Sequence, residues 1–236
     1  MNRIYGLNSV ASALDSKLVK TLFVSKEFKK LELLSQAKKQ GILIKEVSEQ
    51  DLNSMFPKVN HQHIAAETKP LNTYSLEDVL KESKSSDDYP LCILDELTDP
   101  HNLGAILRSA DIFGIKAIIY KKTNSVKLSP LVAKISSGGI SYVKCVEVTN
   151  LTTAIKKLKE NSYWIFGLDG SAKENITSIY KDRKVCIVIG SEGKGISRLV
   201  RENCDVLVKI PQYGHVPCLN ASNAAAIAFY ELRRNF

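Results

Sequence analysis

Three short polar clusters carry residue types that chemistry can use, and each follows an apolar run. The first is DPHNLGAILRSADIFG (99–114), in which Asp99-Pro100 breaks the run, Asn102 can cap a helix and Gly114 can stop it. Arg108 lies six residues after Asn102. That is about one and two-thirds helical turns, and Arg108 is expected close to the same side. The second cluster is IGSEGKGIS (189–197), whose glycines at 190, 193 and 195 permit close backbone approach or positive φ. A turn needs no carboxylate, so Glu192 stands out there as a proton acceptor or hydrogen-bonding anchor. The third is IPQYGHVPCLNASNAAAIAF (210–229), an irregular loop around Pro211, Gly214 and Pro217 followed by a helix. Asn220 and Ser222 stand near that helix's start, where capping is their ordinary use. Ala221, Ala224, Ala225, Ala226 and Ala228 give it a small-residue face suited to close packing. Taken singly, each cluster reads equally well as a capped helix or a glycine turn. Neither GxGxxG nor GxxxxGK[ST] occurs, so the dinucleotide and P-loop fingerprints are absent.

The clusters lie in a segment of alternating elements. Strand-like runs cover 90–97, 116–120, 142–148, 163–169, 184–191 and 205–211. Helical patterns lie between most of them, and a last helix covers 222–236. Apolar strands alternating with helices predict a mainly parallel sheet covered on both faces. Ligands in such sheets bind beyond the strands' carboxyl ends, which is where all three clusters fall. Residues 18–25, 42–47 and 63–67 also read as strands, with helical patterns over 28–37 and 48–56, a small α/β domain of its own.

Charge divides the chain in the same places. Residues 1–66 carry a net +4, residues 67–90 a net −3 and residues 91–236 a net +7. The expected organisation is a small α/β domain over 1–68, a polar linker over 69–89 with at most one short helix after Ser75, and a larger α/β domain over 90–236. One domain with a surface excursion is the alternative.

The chain has 236 residues, 44% hydrophobic and 25% charged, with a net charge of +8. This excludes a disordered, collagenous or coiled-coil chain, and the positive excess favours polyanionic partners. No apolar run approaches the roughly 18 residues of a membrane span, and residues 1–10 show no secretory pattern. A cytoplasmic protein without membrane contact is expected. The five cysteines, at 92, 145, 186, 204 and 218, are dispersed and form no CxxC pair, so neither a disulfide framework nor a zinc site is read from them.

Read together, D-P-x-N-x-G-x-x-x-R, G-S-E-x-x-G and I-P-x-x-G-x-x-x-x-L-N resemble the SpoU (TrmH-type) family of RNA ribose 2′-O-methyltransferases. IYGLNSVASAL (4–14) and HQHIAAE (61–67) are similar to the ends of the small substrate-binding domain in its RlmB-like branch, which modifies a guanosine of large-subunit ribosomal RNA. The resemblance implies a trefoil-knotted SPOUT-type α/β methyltransferase domain with a mainly parallel sheet, acting as a homodimer on RNA with S-adenosylmethionine and no metal. DNA is not expected as a partner. It implies backbone contacts to the cofactor at Gly190, Ile210 and Leu219. Asn102, Arg108, Glu192, Cys218 and Asn220 would be the catalytic set, with Arg108 polarising the hydroxyl and Glu192 holding Arg108 or passing the proton onward. The alanine-bearing helix would pack at the dimer interface.

Three departures from the family pattern are visible. Cys218 replaces the usual serine, Ala221-Ser222-Asn223 replaces Val-Ser-Val, and His63 stands where His-Gln-Gly has its glycine. Transfer RNA as substrate and a catalytically weak RNA-binding relative are the alternatives. An NAD-dependent oxidoreductase lacks its fingerprint.

Overall fold

A computed structural model describes residues 2–70, 73–179 and 183–234. The chain forms two compact units, Met1–Leu71 with Leu128–Ser137, and Asn72–Lys127 with Gly138–Phe236.

The first unit is a four-stranded sheet of order β1-β4-β2-β3, made of β1 (Asn2–Tyr5), β2 (Val19–Val24), β3 (Leu43–Glu46) and β4 (Ile64–Thr68). β4 runs antiparallel to β1 and β2, and β3 runs parallel to β2. The period-2 alternation of a strand divides its side chains between two small cores. Leu22, Val24, Ile64 and Ala66 face Val10, Ala13 and Leu14 of α1 (Leu7–Asp15) and Ala37 of α2 (Leu31–Lys39). Phe23 and Ala65 face Leu52 of α3 (Glu49–Met55). Ser48 starts α3 with a capping box to Asp51. β1 and α1 carry no strong sequence signal, and only the structure reveals them.

The second unit is a seven-stranded parallel sheet of order β7-β6-β5-β10-β8-β11-β9. Its strands are β5 (Leu91–Leu94), β6 (Ala117–Lys121), β7 (Lys144–Val148), β8 (Tyr163–Leu168), the two-residue β9 (Glu174–Asn175), β10 (Lys184–Ile189) and β11 (Val206–Lys209). Six match the expected runs; β9 is too short to show a pattern. The central strands are buried on both faces, which is why they read as continuous apolar runs. One face packs on α4 (Leu76–Ser83), α7 (Leu151–Glu160) and α8 (Arg198–Glu202). α9 (Ala221–Arg233) packs on β10 and on α5 (Pro100–Ile112).

Two expectations about boundaries are corrected. The short helix expected after Ser75 is present as α4, but the segment over 69–89 is no free linker, because Leu76, Val79 and Leu80 of that helix lie in the core of the second unit. Its acidity has a local reason: Glu77, Glu82 and Asp88 pair with Lys157, Lys144 and Arg233 of that unit. Residues 128–137, read as part of the larger domain, belong to the first unit, where Lys134 of α6 (Pro130–Ile135) pairs with Asp15 at 3.3 Å.

Candidate active site

The parallel sheet brings the three clusters to one edge. β5 leads into α5, β10 into the 190–196 loop, and β11 into the 210–220 loop that precedes α9. β10 lies beside β5 and β8, so the clusters meet although they are far apart in sequence.

At the meeting point three side chains form a closed set. The Asn102 amide donates to Glu192 Oε1 at 2.7 Å. The Asn220 amide donates to the same oxygen at 2.6 Å and to Asn102 Oδ1 at 2.9 Å. Asn220 Oδ1 accepts the backbone N–H of Ser222 at 2.8 Å and so caps α9. One asparagine thus closes a helix with its carbonyl and aims its amide at a carboxylate. Asn102 is not the cap it was expected to be. Asp99 caps α5 by accepting from the His101 N–H at 2.8 Å, which leaves Asn102 on the inward face and buried.

The glycines of 189–197 divide their work. Gly193 and Gly195 have φ of +79° and +68°, the left-handed region that favours glycine. Gly190 has no such φ, but a Cβ there would stand 2.1 Å from the Gly195 backbone carbon. The loop folds back through paired backbone bonds between Ser191 and Gly195. Asp95, buried just after β5, clamps its far end by accepting the Ser197 N–H at 2.8 Å. Asp95 escaped sequence reading, although an aspartate ending an apolar run was a signal.

The two loops wall a cavity of about 480 Å³. It is lined by Gly190, Glu192, Ile210, Cys218 and Leu219 among the residues expected to act, and by Asp169 and Arg201, which were not foreseen. Arg201 Nε contacts Asp169 Oδ2 at 3.0 Å, and Ser171 donates to the same carboxyl group. Burial opposes ionisation of Asp169, yet the Ser171 hydrogen bonds and the Arg201 guanidinium hold its pKa below the ordinary carboxylate value. The cavity has the size of a small-molecule site, with apolar Ile189, Ile196 and Leu219 beside a few convergent polar groups.

Arg108 stands apart from this set. It is exposed on α5 and has no hydrogen-bond or ion-pair partner among the described residues. Six residues of α-helix turn through about 600°, leaving Arg108 roughly 120° around the axis from Asn102. The expectation that they share a side is therefore wrong, and in one chain Glu192 is held by two amides rather than holding Arg108.

The alanine face is also corrected. Ala221, Ala225 and Ala228 point inward and are buried within the chain, whereas Asn223, Ile227 and Tyr230 are exposed. These three pack α9 onto its own unit, whereas Ala224, on the cavity wall, and Ala226 are half-buried.

The arrangement can hold a small molecule under two loops and present an oriented carboxylate at its edge, which suits proton acceptance from a positioned hydroxyl. Comparisons with known proteins agree in class. The SpoU rRNA Methylase family matches residues 90–230, and the RNA 2′-O ribose methyltransferase substrate binding family matches residues 3–74. The chain belongs to the SpoU methyltransferase family. Among its relatives is YacO of Bacillus subtilis, assigned by name to the TrmH family of tRNA/rRNA methyltransferases, 39% identical over 98% of this chain and 94% of its own. A Staphylococcus aureus protein assigned to the same family is 41% identical over 86% of this chain and 82% of its own. Among solved structures, the Streptomyces viridochromogenes SpoU methyltransferase AviRb in complex with AdoMet covers 98% of this chain and 89% of its own at 23% identity, with a TM-score of 0.68. The AdoMet-bound rRNA methyltransferase of Sinorhizobium meliloti covers 99% of this chain and 87% of its own at 22% identity, with a TM-score of 0.69. These two share the fold. No helix among the described residues is long and apolar enough to cross a membrane.

Proposed function

We propose that this RNA methyltransferase transfers a methyl group from S-adenosylmethionine to the ribose 2′-hydroxyl of a guanosine in large-subunit ribosomal RNA. The observation that carries the reading is the Asn102–Glu192–Asn220 set at the edge of a cavity walled by both loops. Coverage supports the ribosomal target. The Sinorhizobium rRNA enzyme spans 99% of this chain, whereas the Aquifex aeolicus TrmH/SpoU tRNA modifying enzyme spans 67%.

The residues present suit the cofactor. Ile189, Ile196, Ile210 and Leu219 offer apolar walls for a purine and a thioether, while Asp169 and Arg201 offer charges to the polar parts. Gly190, Ile210 and Leu219, which line the cavity, would supply the backbone contacts. When bound, S-adenosylmethionine supplies a methyl group on a positively charged sulfur. The chain's own work is to fix the attacking hydroxyl and to remove its proton. Glu192, oriented by two amides through Oε1, would accept that proton as the hydroxyl oxygen takes the methyl group and the methyl–sulfur bond breaks, its electron pair staying on sulfur. An arginine stays protonated at any working pH, so Arg108 acts electrostatically, polarising the hydroxyl and orienting a neighbouring phosphate. We place Arg108 at the active site of a second copy, in a homodimer, because in its own chain it stands away from Glu192. A knotted threading of the two loops and a cytoplasmic location complete the reading.

The direct test is to map ribose methylation across all stable RNAs of a deletion strain, then to restore it with purified protein and labelled S-adenosylmethionine. Loss of one 23S-type guanosine methyl group, restored in vitro, is the expected result. An unchanged ribosomal RNA map with a lost transfer-RNA methyl group would overturn the target.

Gly190→Ala should separate loop geometry from chemistry. Its Cβ cannot fit against the Gly195 backbone, so the loop must open. We expect S-adenosylmethionine affinity to fall at least tenfold, about 1.4 kcal/mol, by calorimetry. Unchanged affinity would remove this loop from the cofactor site.

Cysteine labelling tests the other wall. Cys218 is exposed and lines the cavity, while Cys92 and Cys186 are fully buried. Burial drives the Cys92 and Cys186 thiols far above their ordinary range and raises Cys145 and Cys204 to about 12. Alkylation should therefore strike Cys218 first, and saturating S-adenosylmethionine should protect it. Equal labelling with and without cofactor, read by mass spectrometry, would count against its place there. Cys218→Ser should keep or raise activity, since a hydroxyl is the stronger hydrogen-bond donor.

A further inference from the structure

A second cluster of chemically capable side chains lies in the first unit, at one end of its sheet. β2 ends at Val24, parallel β3 ends at Glu46, and antiparallel β4 begins at Ile64, so the segments that follow or precede them converge. These segments carry Ser25, Glu27, Glu49, His61 and His63.

The contacts form a continuous chain. His63 Nδ1 lies 3.0 Å from Glu49 Oε2 and 3.3 Å from Ser25 Oγ. Ser25 Oγ, in a buried residue, donates to Glu27 Oε2 at 2.5 Å. His61 Nδ1 accepts the His63 N–H at 3.2 Å, which leaves the proton on His61 Nε2, 3.3 Å from Asn53 Oδ1 and 3.6 Å from Glu49 Oε1. Buried His61 thus holds Glu49 from behind. One oxygen each from Glu27 and Glu49 and one nitrogen from His63 all lie within 4.8 Å of one another.

Two facts set this apart from an ordinary surface ion pair. First, two carboxylates and an imidazole, brought from three separate segments, converge on one point, with one ligand atom of each within 4.8 Å of the others. Second, His63 sits at φ +63°, after Gln62 at +52°, where glycine would be unstrained. The chain places an imidazole where the backbone favours glycine, and that imidazole faces both carboxylates.

We propose that Glu27, Glu49 and His63 bind one divalent transition-metal ion of the zinc type in the N-terminal unit. Zinc accepts carboxylate oxygen and imidazole nitrogen at about 2.0–2.2 Å, so tetrahedral ligand atoms stand roughly 3.4 Å apart. The 3.0 Å His63–Glu49 spacing opens slightly to reach this, and exposed Glu27 swings inward. The imidazole makes magnesium or calcium, which prefer all-oxygen shells, a poor fit. His61 supports a ligand from outside, the usual second layer of such sites. The ion would tie together the segments at the ends of three strands, a fixed edge in the unit that matches the substrate-binding family.

The test uses the full chain, freed of metal with a chelator and titrated with Zn²⁺ by calorimetry. The expected result is one equivalent per chain. His63→Gly should keep the fold, because glycine takes the +63° backbone without strain, and should weaken binding roughly tenfold or more. Glu49→Gln should do the same, whereas Cys218→Ala should bind as the wild type does. Far-ultraviolet dichroism confirms that each variant is folded. No binding by the wild type overturns the site. So does binding that His63→Gly leaves unchanged, or binding lost in Cys218→Ala. Because the readout is metal binding in the N-terminal unit, it stands apart from the fate of the methyl-transfer reading.

Discussion

Arg108→Ala is expected to abolish most methyl transfer while leaving fold and cofactor affinity almost untouched. The side chain is exposed and unpartnered among the described residues, so its removal should change stability by no more than about 0.5 kcal/mol. It lines no part of the cavity, so calorimetry with S-adenosylmethionine should not distinguish the variant from the wild type. Single-turnover transfer to RNA should fall below about a tenth, a loss exceeding ~1.4 kcal/mol of transition-state stabilisation. A variant above that level would sink the assigned role.

The same residue tests where the active site is assembled. Arg108 lies on the α5 surface, around the axis from Asn102, and Glu192 is already occupied by two amides. If each site takes Arg108 from one copy and Glu192 from the other, Arg108→Ala and Glu192→Gln chains should complement. A two-fold dimer of the two variants keeps one intact site and one doubly altered site, so random mixing should restore about a quarter of wild-type activity. Mixing that restores nothing would place both residues in one chain's site, or neither in any.

How much of this was legible depended on the range of the interaction. Strands β5, β6, β8 and β10 were readable because a sheet buried on both faces demands near-continuous apolar runs, and β7 and β11, only partly buried, still carry shorter β-branched apolar stretches. The Ser48 and Ser75 capping boxes are local chemistry and could be read in place. β1 and α1 were not legible, since NRIY is short and α1 begins after a glycine with no side-chain cap. The acidic stretch misled because its charges are matched by lysines and an arginine 62 to 145 residues away. In the site, it was the resemblance of the three clusters, read together, to the SpoU family that grouped Asn102, Glu192 and Asn220; spacing within any one cluster did not. Neither could show that Asp99 displaces Asn102 from the cap, or that Arg108 turns away from it. The inward direction of the alanines was equally hidden. A small-residue stripe permits close approach, but it does not say whether the neighbour is the chain itself or another copy.

That last ambiguity gives the largest expected effect on stability. Ala225 is wholly buried on the inner face of α9, against its own unit. Ala225→Glu must put a long side chain and an uncompensated charge into a packed interior, a cost on the order of 3–5 kcal/mol. Against a typical domain stability of about 5–15 kcal/mol, this should lower the melting temperature by roughly 10 °C or more, and it should do so at any protein concentration. Ile227 lies two residues on and is 38% exposed, on the outer face with Tyr230 at 53%. Ile227→Glu should change the melting of the isolated chain by little. If α9 contributes its outer face to the homodimer, that variant should sediment as a folded monomer and lose methyl transfer together with the second copy's Arg108. A folded, stable Ala225→Glu chain would show that the inner face has room for the new side chain, contrary to its burial. An Ile227→Glu chain that remains dimeric would move the interface away from α9. The pair separates packing within the chain from packing between chains, because each substitution places the same charge on opposite sides of one helix.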